Sequence, residues 1–491
     1  MYYPSLEEAR QLAGAGAYRN IPITREILSD AITPIQALRI LRAQSSHCFL
    51  LESAASSEQW GRYTFLGFEP TLEITCSDGV LRLKGDRTEE RKTSCPGQAL
   101  RELLAAHKSP KVPGLPSFTG GLVGYFSYDY IKYAEPTLVL DAEDQEGFHD
   151  MDLMLFDKVI AFDNFRQKLV LIVNADASDL DRSYPKACGE LDRMARLLRQ
   201  GAPLPRQIGR MTSPIRPLFD QEAYCAMVEK AKKHIYEGDI FQVVLSNRLE
   251  ADFEGSLLDA YRILRTANPS PYMFYFTSDD MELAGASPET LVKLKDGELH
   301  TFPLAGTRPR GSTPEEDKAL EQELLGDEKE LAEHNMLVDL GRNDMGKISA
   351  FGSVEVEKYL SIERFSHVMH IGSTVRGQLQ EGKDAVDAVD AILPAGTLSG
   401  APKLRACQII NELENNKRGV YGGAIGYLDF TGNLDTCIAI RLAFQKNGKV
   451  FIRSGAGIVA DSVPETEYQE CINKAMAVVK ALELAPEVSD L

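Results

Sequence analysis

The chain has 491 residues, 44% of them hydrophobic and 26% charged, an ordinary globular composition with length enough for a large core. A formal net charge of -18 and a pI near 5.1 argue against a nucleic-acid partner, because neutralising phosphates needs basic surface. No run of about 18 apolar residues occurs and the N-terminal MYYPSLEEARQL has neither a basic n-region nor an apolar h-region, so no membrane partner and a cytoplasmic location are expected.

In chain order, residues 47–54, 61–70 and 71–86 alternate or run apolar and read as strands, the last a hairpin around Asp78-Gly79. Residues 98–107 read as a helix, LPSFTGGLVGYFSYDY as a glycine-bent strand, and segments 151–163 and 168–174 as two paired strands. RQGAPLPRQIGRMTSPIRPL, residues 199–218, is proline-rich and basic within an acidic protein and reads as an exposed linker. Beyond it come a helix over 220–237 ending at Gly238, a strand DIFQVVLSNRLE, a helix over 255–267 and two strands within 269–294. A strand near 353–358, a loop-to-helix transition in LPAGTLSGAPKLRACQ whose helix N-terminus suits an anion, and a glycine-rich strand pair over 420–444 follow. Strands grouped with intervening helices, lacking strict βαβ alternation, predict an α+β fold with mostly antiparallel sheet.

Two acidic helices carry the chemistry. FIRSGAGIVADSVPETEYQECINK (451–474) reads as a strand, a glycine turn at Gly455-Ala456-Gly457 whose N–H groups suit an anion, and a helix capped by Asp461 or Ser462 with Pro464 in its first turn. Glu467 and Glu470, three apart, project from one face of that helix. The same spacing describes many solvated helix faces, but DEKELAEHNMLVDLGRND (327–344) repeats it with Glu330 and Glu333. Facing each other, the pairs would offer up to four oxygen ligands, which suits Mg²⁺ or Ca²⁺ rather than zinc. A di-iron site would need Glu-x-x-His, and the residue three before His334 is Leu331.

Other signatures are missing. PAGTLSGAPK does not fit a P-loop, no GxGxxG follows a strand, there is no G-x-S-x-G elbow, and eight cysteines without a Cys-x-x-Cys indicate neither zinc nor a disulfide framework. His367 and His370, three apart, read less as metal ligands than as one packed and one surface histidine, with His370 the better proton-transfer candidate. Arg308, Arg310, Lys403, Arg405, Arg441 and Lys474 adjoin glycine turns or acidic helices and together offer positive charge to an acidic substrate. An oxygen-ligated cation, glycine turns, scattered Arg/Lys and one histidine suit a small polycarboxylate undergoing elimination or substitution.

GASPE (285–289), PLAGTRPRG (303–311), KELAEHNMLVDLGRND (329–344), HVMHIGSTVRG (367–377), LPAGTLSGAPK (393–403), GGAIGY (422–427) and IRSGAGIVADSVPETEYQE (452–470) closely resemble the chorismate-utilising enzymes, and among them the large subunits of anthranilate synthases. These motifs span about residues 219–480 in the family's order, and LLES (50–53) and GRYTFLG (61–67) are similar too. The resemblance implies two packed, mainly antiparallel sheets with helices outside, an N-terminal regulatory and scaffold lobe (1–200), a linker (201–217) and a chorismate-binding catalytic lobe (218–491). Isochorismate and salicylate synthases carry a water-activating lysine where this chain has Gln242, which implies ammonia as nucleophile. Aminodeoxychorismate synthases, the alternative, typically read P-I-K-G-T where this chain has Ala305 in PLAGT.

Carried onto this chain, the resemblance implies Mg²⁺ held mainly by Glu333 and Glu470 with Glu330 and Glu467 direct or through water, Glu289 as general acid, and His370 assisting elimination. Tyr421, Arg441 and the backbone of Gly455, Ala456 and Gly457 would hold the enolpyruvyl group of chorismate, Thr397, Gly306 and Thr307 would line the ring, and Lys474 would add positive charge. No G-x-C-x-G-x-Q glutaminase motif occurs, so a separate glutamine amidotransferase subunit, anthranilate synthase component II, is the implied partner. Tryptophan feedback is implied at Glu52, Ser53, Pro271, Tyr272 and Met273, in a pocket that Trp60 and the loop 54–60 adjoin.

Overall fold

The computed structural model of the chain describes residues 1–53, 61–364 and 368–489. Trp60, the loop 54–60 and His367 lie outside the described residues. Two large sheets, of 14 and 12 strands, are built from antiparallel pairs. Both run through the two halves of the sequence. In the first, Cys48–Glu52 pairs with Tyr272–Thr277 and so joins the N-terminal strands to those formed after residue 240. In the second, Gly121–Phe126 pairs with Ala424–Asp429 and does the same.

Period-two alternation explains how the sheets stack. Along Cys48–Glu52, Phe49 faces the second sheet while Cys48 and Leu50 face the helices; along Tyr272–Thr277, Phe274 and Phe276 face inward while Met273 and Tyr275 face out. The second sheet mirrors this, with Val123, Tyr125, Met154 and Phe156 inward and Leu122, Phe126, Leu153 and Leu155 outward. Phe49 meets Phe156 edge-on at 4.8 Å between the sheets. Each fully buried side chain of this kind contributes about 1.5–3 kcal/mol. Helices Pro34–Arg42, Leu180–Gln200, Leu258–Ala267 and Pro464–Leu484 cover the first sheet, and Pro96–Ala106, Glu328–Gly346 and Ala385–Ile392 cover the second. The expected α+β class, with two antiparallel sheets and helices outside, is what the structure shows. Among the described residues no helix is long and apolar enough to cross a membrane.

Several expectations shift locally. The hairpin forms with positive φ at both Asp78 (47°) and Gly79 (76°), as its two-residue turn requires. Segment 151–163 is two strands in different sheets, Met151–Phe156 and Lys158–Asp163, because the chain crosses from one sheet to the other at Asp157. Only the second pairs with Lys168–Asp176.

The largest correction concerns Gly455-Ala456-Gly457, which is no turn. All three lie inside the strand Lys449–Ile458, opposite Ser246, Leu245 and Val244 of the strand Gln242–Glu254. The glycines serve close packing instead: a Cβ on Gly457 would meet Gln242 Nε2 at 2.6 Å, and one on Gly455 would meet the Tyr421 hydroxyl at 2.9 Å. Neither Asp461 nor Ser462 caps the following helix; its N-cap is Val463 with no side-chain cap, and the Ser462 hydroxyl accepts from Val459 N–H at 3.1 Å. Pro464 does occupy the first turn.

Candidate functional site

The strand Lys449–Ile458 has neighbours on both sides only up to Ile452, where pairing with Leu442–Lys446 ends. Val244 N–H donates to Ser399 and Ser246 N–H to Glu414, both away from this strand. In an antiparallel ladder their opposite residues, Gly457 and Gly455, then direct their own N–H and C=O groups to the other side. Lys474 Nζ lies there, donating to Gly455 C=O at 3.2 Å. An N–H-bearing ledge of backbone is thus present, made by a strand edge rather than a turn.

Beside the ledge stand the two acidic helices, Glu328–Gly346 and Pro464–Leu484. Glu333 has a raised pKa, chiefly from burial and then from the charges of Glu330 and Glu470. Glu467 is raised by burial, with Glu470 adding and Ser462 opposing. Charges that perturb one another across two helices share one locality. Lys474 closes on Glu470 Oε1 at 2.6 Å, and Lys329 helps hold Glu333 and Glu467 ionised. Among the described residues no three of the four glutamates bring oxygens within 4.8 Å of one another.

Glu289 lies between the strands Met281–Ser287 and Thr290–Lys295. Part of the residue remains accessible, but its carboxyl is enclosed, and that burial pushes its pKa up to about 7; Thr397, whose hydroxyl donates to Oε1 at 3.2 Å, and the charges of Arg441 and Lys474 only partly offset it. A small cavity of about 40 Å³ adjoins Glu289, Thr397, Gly396 and Leu340. Arg441 holds a left-handed backbone (φ 53°), uncommon for a side-chain-bearing residue and often found at functional positions. Burial lowers its pKa, with only the charge of Glu289 opposing.

His370 sits on Val368–Gln378. Its Nδ1 lies 2.8 Å from Gly306 C=O and 3.1 Å from the Thr307 hydroxyl. A carbonyl can only accept, so Nδ1 carries the proton and the basic lone pair is on Nε2. Burial lowers the ring's pKa, against the Gly306 bond that raises it, so the ring is neutral at physiological pH. Gly306 takes φ 66° at the bend that presents this carbonyl, with Glu330 Oε2 and Leu324 packed where a Cβ would go.

Of the six basic residues expected to serve a substrate, four are engaged in the scaffold. Arg308 meets Glu323, Asp327 and Glu330, Arg310 meets Asp317, Lys403 meets Asp344 and Arg405 meets Asp239. Arg441 alone of the six makes no ion pair within 4.0 Å among the described residues. The inhibitor candidates divide as well. Glu52 pairs with Met273 across two strands and accepts from the Tyr261 hydroxyl (2.5 Å) and from Arg265. Tyr272 faces the inter-sheet core, its hydroxyl 3.0 Å from Thr290 and donating to Asp435 at 2.8 Å. Pro271 precedes that strand and Ser53 follows its partner.

Sequence reasoning missed the buried support behind the ledge. Glu414 accepts from Arg418 at 2.6 and 3.0 Å, from Arg453 at 3.3 Å, and from the N–H and hydroxyl of Ser246 at 2.7 and 3.0 Å. Arg418 lies 5.7 Å from the Tyr421 ring, so this ion cluster braces the residue that touches Gly455. No local pattern signals it, since the helix Lys403–Glu414 ends at a left-handed Asn415 and Arg418 lies beyond it.

A family model for chorismate binding enzymes matches residues 16–480. Anthranilate synthase component 1 of Acetivibrio thermocellus is 45% identical, the alignment covering 99% of this chain and all of that protein, and that of Pseudomonas aeruginosa is 46% identical over 98% and 99%. The crystal structure of anthranilate synthase component I from Streptococcus pneumoniae superposes with a TM-score of 0.77 at 40% identity, covering 92% of this chain and 98% of that one. The Escherichia coli isochorismate synthase MenF shares the fold, with a TM-score of 0.69 at 21% identity over 97% and 98%. The full-length match and the motifs that line this cleft together place the chain in the chorismate-binding enzyme family, among the anthranilate synthase component 1 proteins.

Proposed function

We propose that the chain converts chorismate and ammonia to anthranilate and pyruvate, a lyase reaction through aminodeoxyisochorismate that opens tryptophan biosynthesis. The observation that carries this reading is Glu289: a carboxyl with a pKa of about 7 keeps a proton to give at neutral pH. In the first step a C2–N bond forms as the C4–O bond breaks, and Glu289 protonates the departing hydroxyl so that it leaves as water. Gln242, buried against Gly457, presents an amide that cannot activate water as a base, which favours ammonia. In the second step the C2 proton is removed, the ether C–O bond breaks and pyruvate departs as the ring becomes aromatic. His370, neutral with its lone pair on Nε2, assists that proton removal.

Tyr421, Arg441 and the N–H groups of Gly455 and Gly457, with Ala456 between them, would receive the enolpyruvyl carboxylate; Thr397, Gly306 and Thr307 would line the ring side. The glutamates fit a hard divalent cation: they are all oxygen donors, and Glu333 and Glu467 are raised first by burial and then by neighbouring glutamate charge, both of which a bound cation offsets. Glu333 and Glu470, helped by Glu330 and Glu467, would hold Mg²⁺, which supplies a positive anchor for the ring carboxylate. Lys474 would exchange its bond to Glu470 for added charge beside the substrate.

A separate glutamine amidotransferase subunit, component II, would supply ammonia, and tryptophan would inhibit at Glu52, Ser53, Pro271, Tyr272 and Met273. Ala305, buried in register with Ile371, offers no attacking amine, which disfavours aminodeoxychorismate synthesis. Incubating the purified chain with chorismate, Mg²⁺ and ammonium should yield anthranilate fluorescence and equimolar pyruvate. Formation of 4-amino-4-deoxychorismate without pyruvate, or no turnover, would overturn the reading.

A further inference from the structure

The helix Glu328–Gly346 buries one stripe against the second sheet, and that stripe begins with a polar residue. His334, Leu337, Val338 and Met345 are buried at helical spacing. His334 is 0% exposed, yet its Nδ1 has no hydrogen-bond partner among the described residues. A leucine would continue the stripe without leaving a buried ring nitrogen unpaired. What the histidine adds is Nε2, which lies 2.7 Å from the Ser373 hydroxyl.

Ser373, 3% exposed, stands on Val368–Gln378, three residues beyond His370. Opposite it the strand Glu355–Arg364 carries a bulge: Lys358 pairs with Thr374 and Ser361 with Gly372, so Tyr359 and Leu360 share the single partner position of Ser373. Leu360 takes a left-handed φ of 53°, uncommon for a bulky side chain and kept only where neighbours fix it. Its N–H donates to Ser373 Oγ at 3.1 Å. The hydroxyl that accepts there has its own proton to place, and Nε2 is the acceptor it meets, so Ser373 donates to His334 and Nδ1 carries the ring proton. A second tie lies beside the first, since the Tyr359 hydroxyl donates to Asn335 Oδ1 at 2.6 Å. Two adjacent bulge residues are thus fastened to two adjacent helix residues, one directly and one through Ser373.

The fastened stretch adjoins the proposed chemistry. Glu333 immediately precedes His334, and Glu330 lies one turn earlier. We infer that His334 is a positioning residue: through Ser373 it fixes the first turns of Glu328–Gly346, and with them Glu330 and Glu333, against the strand that carries His370. This rests on the reading of the glutamates as a cation site. Among the described residues no three of those glutamates bring oxygens within 4.8 Å of one another, so the ligand set has to close when a cation binds. An anchored helix confines that closure to side chains, whereas a loose one has to be ordered as well, at a loss of affinity.

Calorimetric titration of Mg²⁺ into the full, substrate-free chain tests this, with hydrogen exchange of the helix amides measured without Mg²⁺. His334→Leu and Ser373→Ala should weaken Mg²⁺ binding by about 10–100-fold, as when partners that orient metal ligands are removed. Both should speed exchange over residues 328–338 while circular dichroism stays parental. His334→Gln, whose amide reaches the Nε2 position, should restore affinity to within about threefold of the parent, and His334→Asn, whose amide ends at the Nδ1 position, should not. Packing alone would rank leucine above glutamine, so the order of the variants separates positioning from space-filling. Should the buried variants fail to fold, Tyr359→Phe, at a residue 53% exposed, removes the second tie and should weaken Mg²⁺ by about threefold or more. The inference falls if the folded variants bind Mg²⁺ like the parent, or if leucine or asparagine serves as well as glutamine. A parent that binds no Mg²⁺ overturns the cation reading instead, and the exchange rates then decide the anchoring by themselves: parental rates in His334→Leu and Tyr359→Phe would overturn it.

Discussion

Two glutamates enclosed near the cleft hold their protons in opposite ways. Glu414, 3% exposed, is ringed by Arg418, Arg453 and two donors from Ser246, and although burial works to raise its pKa these partners bring it below the ordinary glutamate value. Glu289 has a threonine hydroxyl at 3.2 Å and more distant cations, and burial wins: its pKa rises to about 7. Both lie in dry surroundings. Partners, rather than depth, separate a permanent anion that braces the fold from a group able to give up a proton.

Removing one member of the braced cluster should have the largest effect. Glu414→Gln leaves Arg418 and Arg453 as buried cations with no counter-charge, which should cost about 3–5 kcal/mol. Urea unfolding should show it, and turnover should fall with the folded fraction. A variant as stable as the parent would mean that Glu414 is no brace. For this group the native pKa is depressed, so its stabilisation is present above the ordinary value near 4.5 and is lost as pH falls below it.

Glu470→Gln should abolish turnover and leave folding intact, because Glu470 is on the solvated face of its helix. Mg²⁺ should raise the melting temperature of the parent, as any ligand of the native state does, and raise that of the variant much less. Equal thermal shifts, or parental activity in the variant, would refute the metal role.

Glu289→Gln comes next, with turnover reduced by about 10²–10⁴-fold. Here the linkage sign reverses. The folded state binds the proton more tightly than the unfolded chain, so the contribution of Glu289 to stability is complete below about 4.5 and is lost as pH rises through about 7. The glutamine variant should therefore be relatively more stable at pH 8 than at pH 5, compared with the parent. In the parent, kcat/KM should fall on the alkaline side with an apparent pKa near 7, and a profile flat from pH 6 to pH 9 would remove Glu289 as the proton donor.

The same contrast explains what could be read before the structure. Period two and period 3.6 locate most strands and helices, and the Glu-x-x-Glu spacing puts two carboxylates on one face of each acidic helix, because both patterns are local and set by backbone geometry. The Gly455-Gly457 stretch misleads for the same reason: glycine marks either a turn or a strand packed closely against a neighbour, and only the partners, Gln242 and Tyr421, decide. Ion-pair partners are likewise non-local. Arg308 and Arg405 look available in sequence, and Glu323, Asp327 and Asp239 claim them only in space. The pKa of Glu289 was illegible because nothing in GASPE says which side chains will stand around it.

His370 offers the smallest and most diagnostic effect. Its ring is held by Nδ1 donating to Gly306 C=O and is kept neutral by burial despite that bond, so the basic lone pair is on Nε2. Amination needs a proton delivered, which Glu289 supplies; elimination needs one removed, which a carboxyl still half-protonated at pH 7 does poorly. The two groups thus divide the reaction by proton direction. His370→Ala should slow elimination by about 10²-fold and amination far less, so that rapid-quench samples accumulate aminodeoxyisochorismate ahead of pyruvate. Equal slowing of both steps would assign His370 to substrate positioning, and accumulation in Glu289→Gln instead would exchange the two roles.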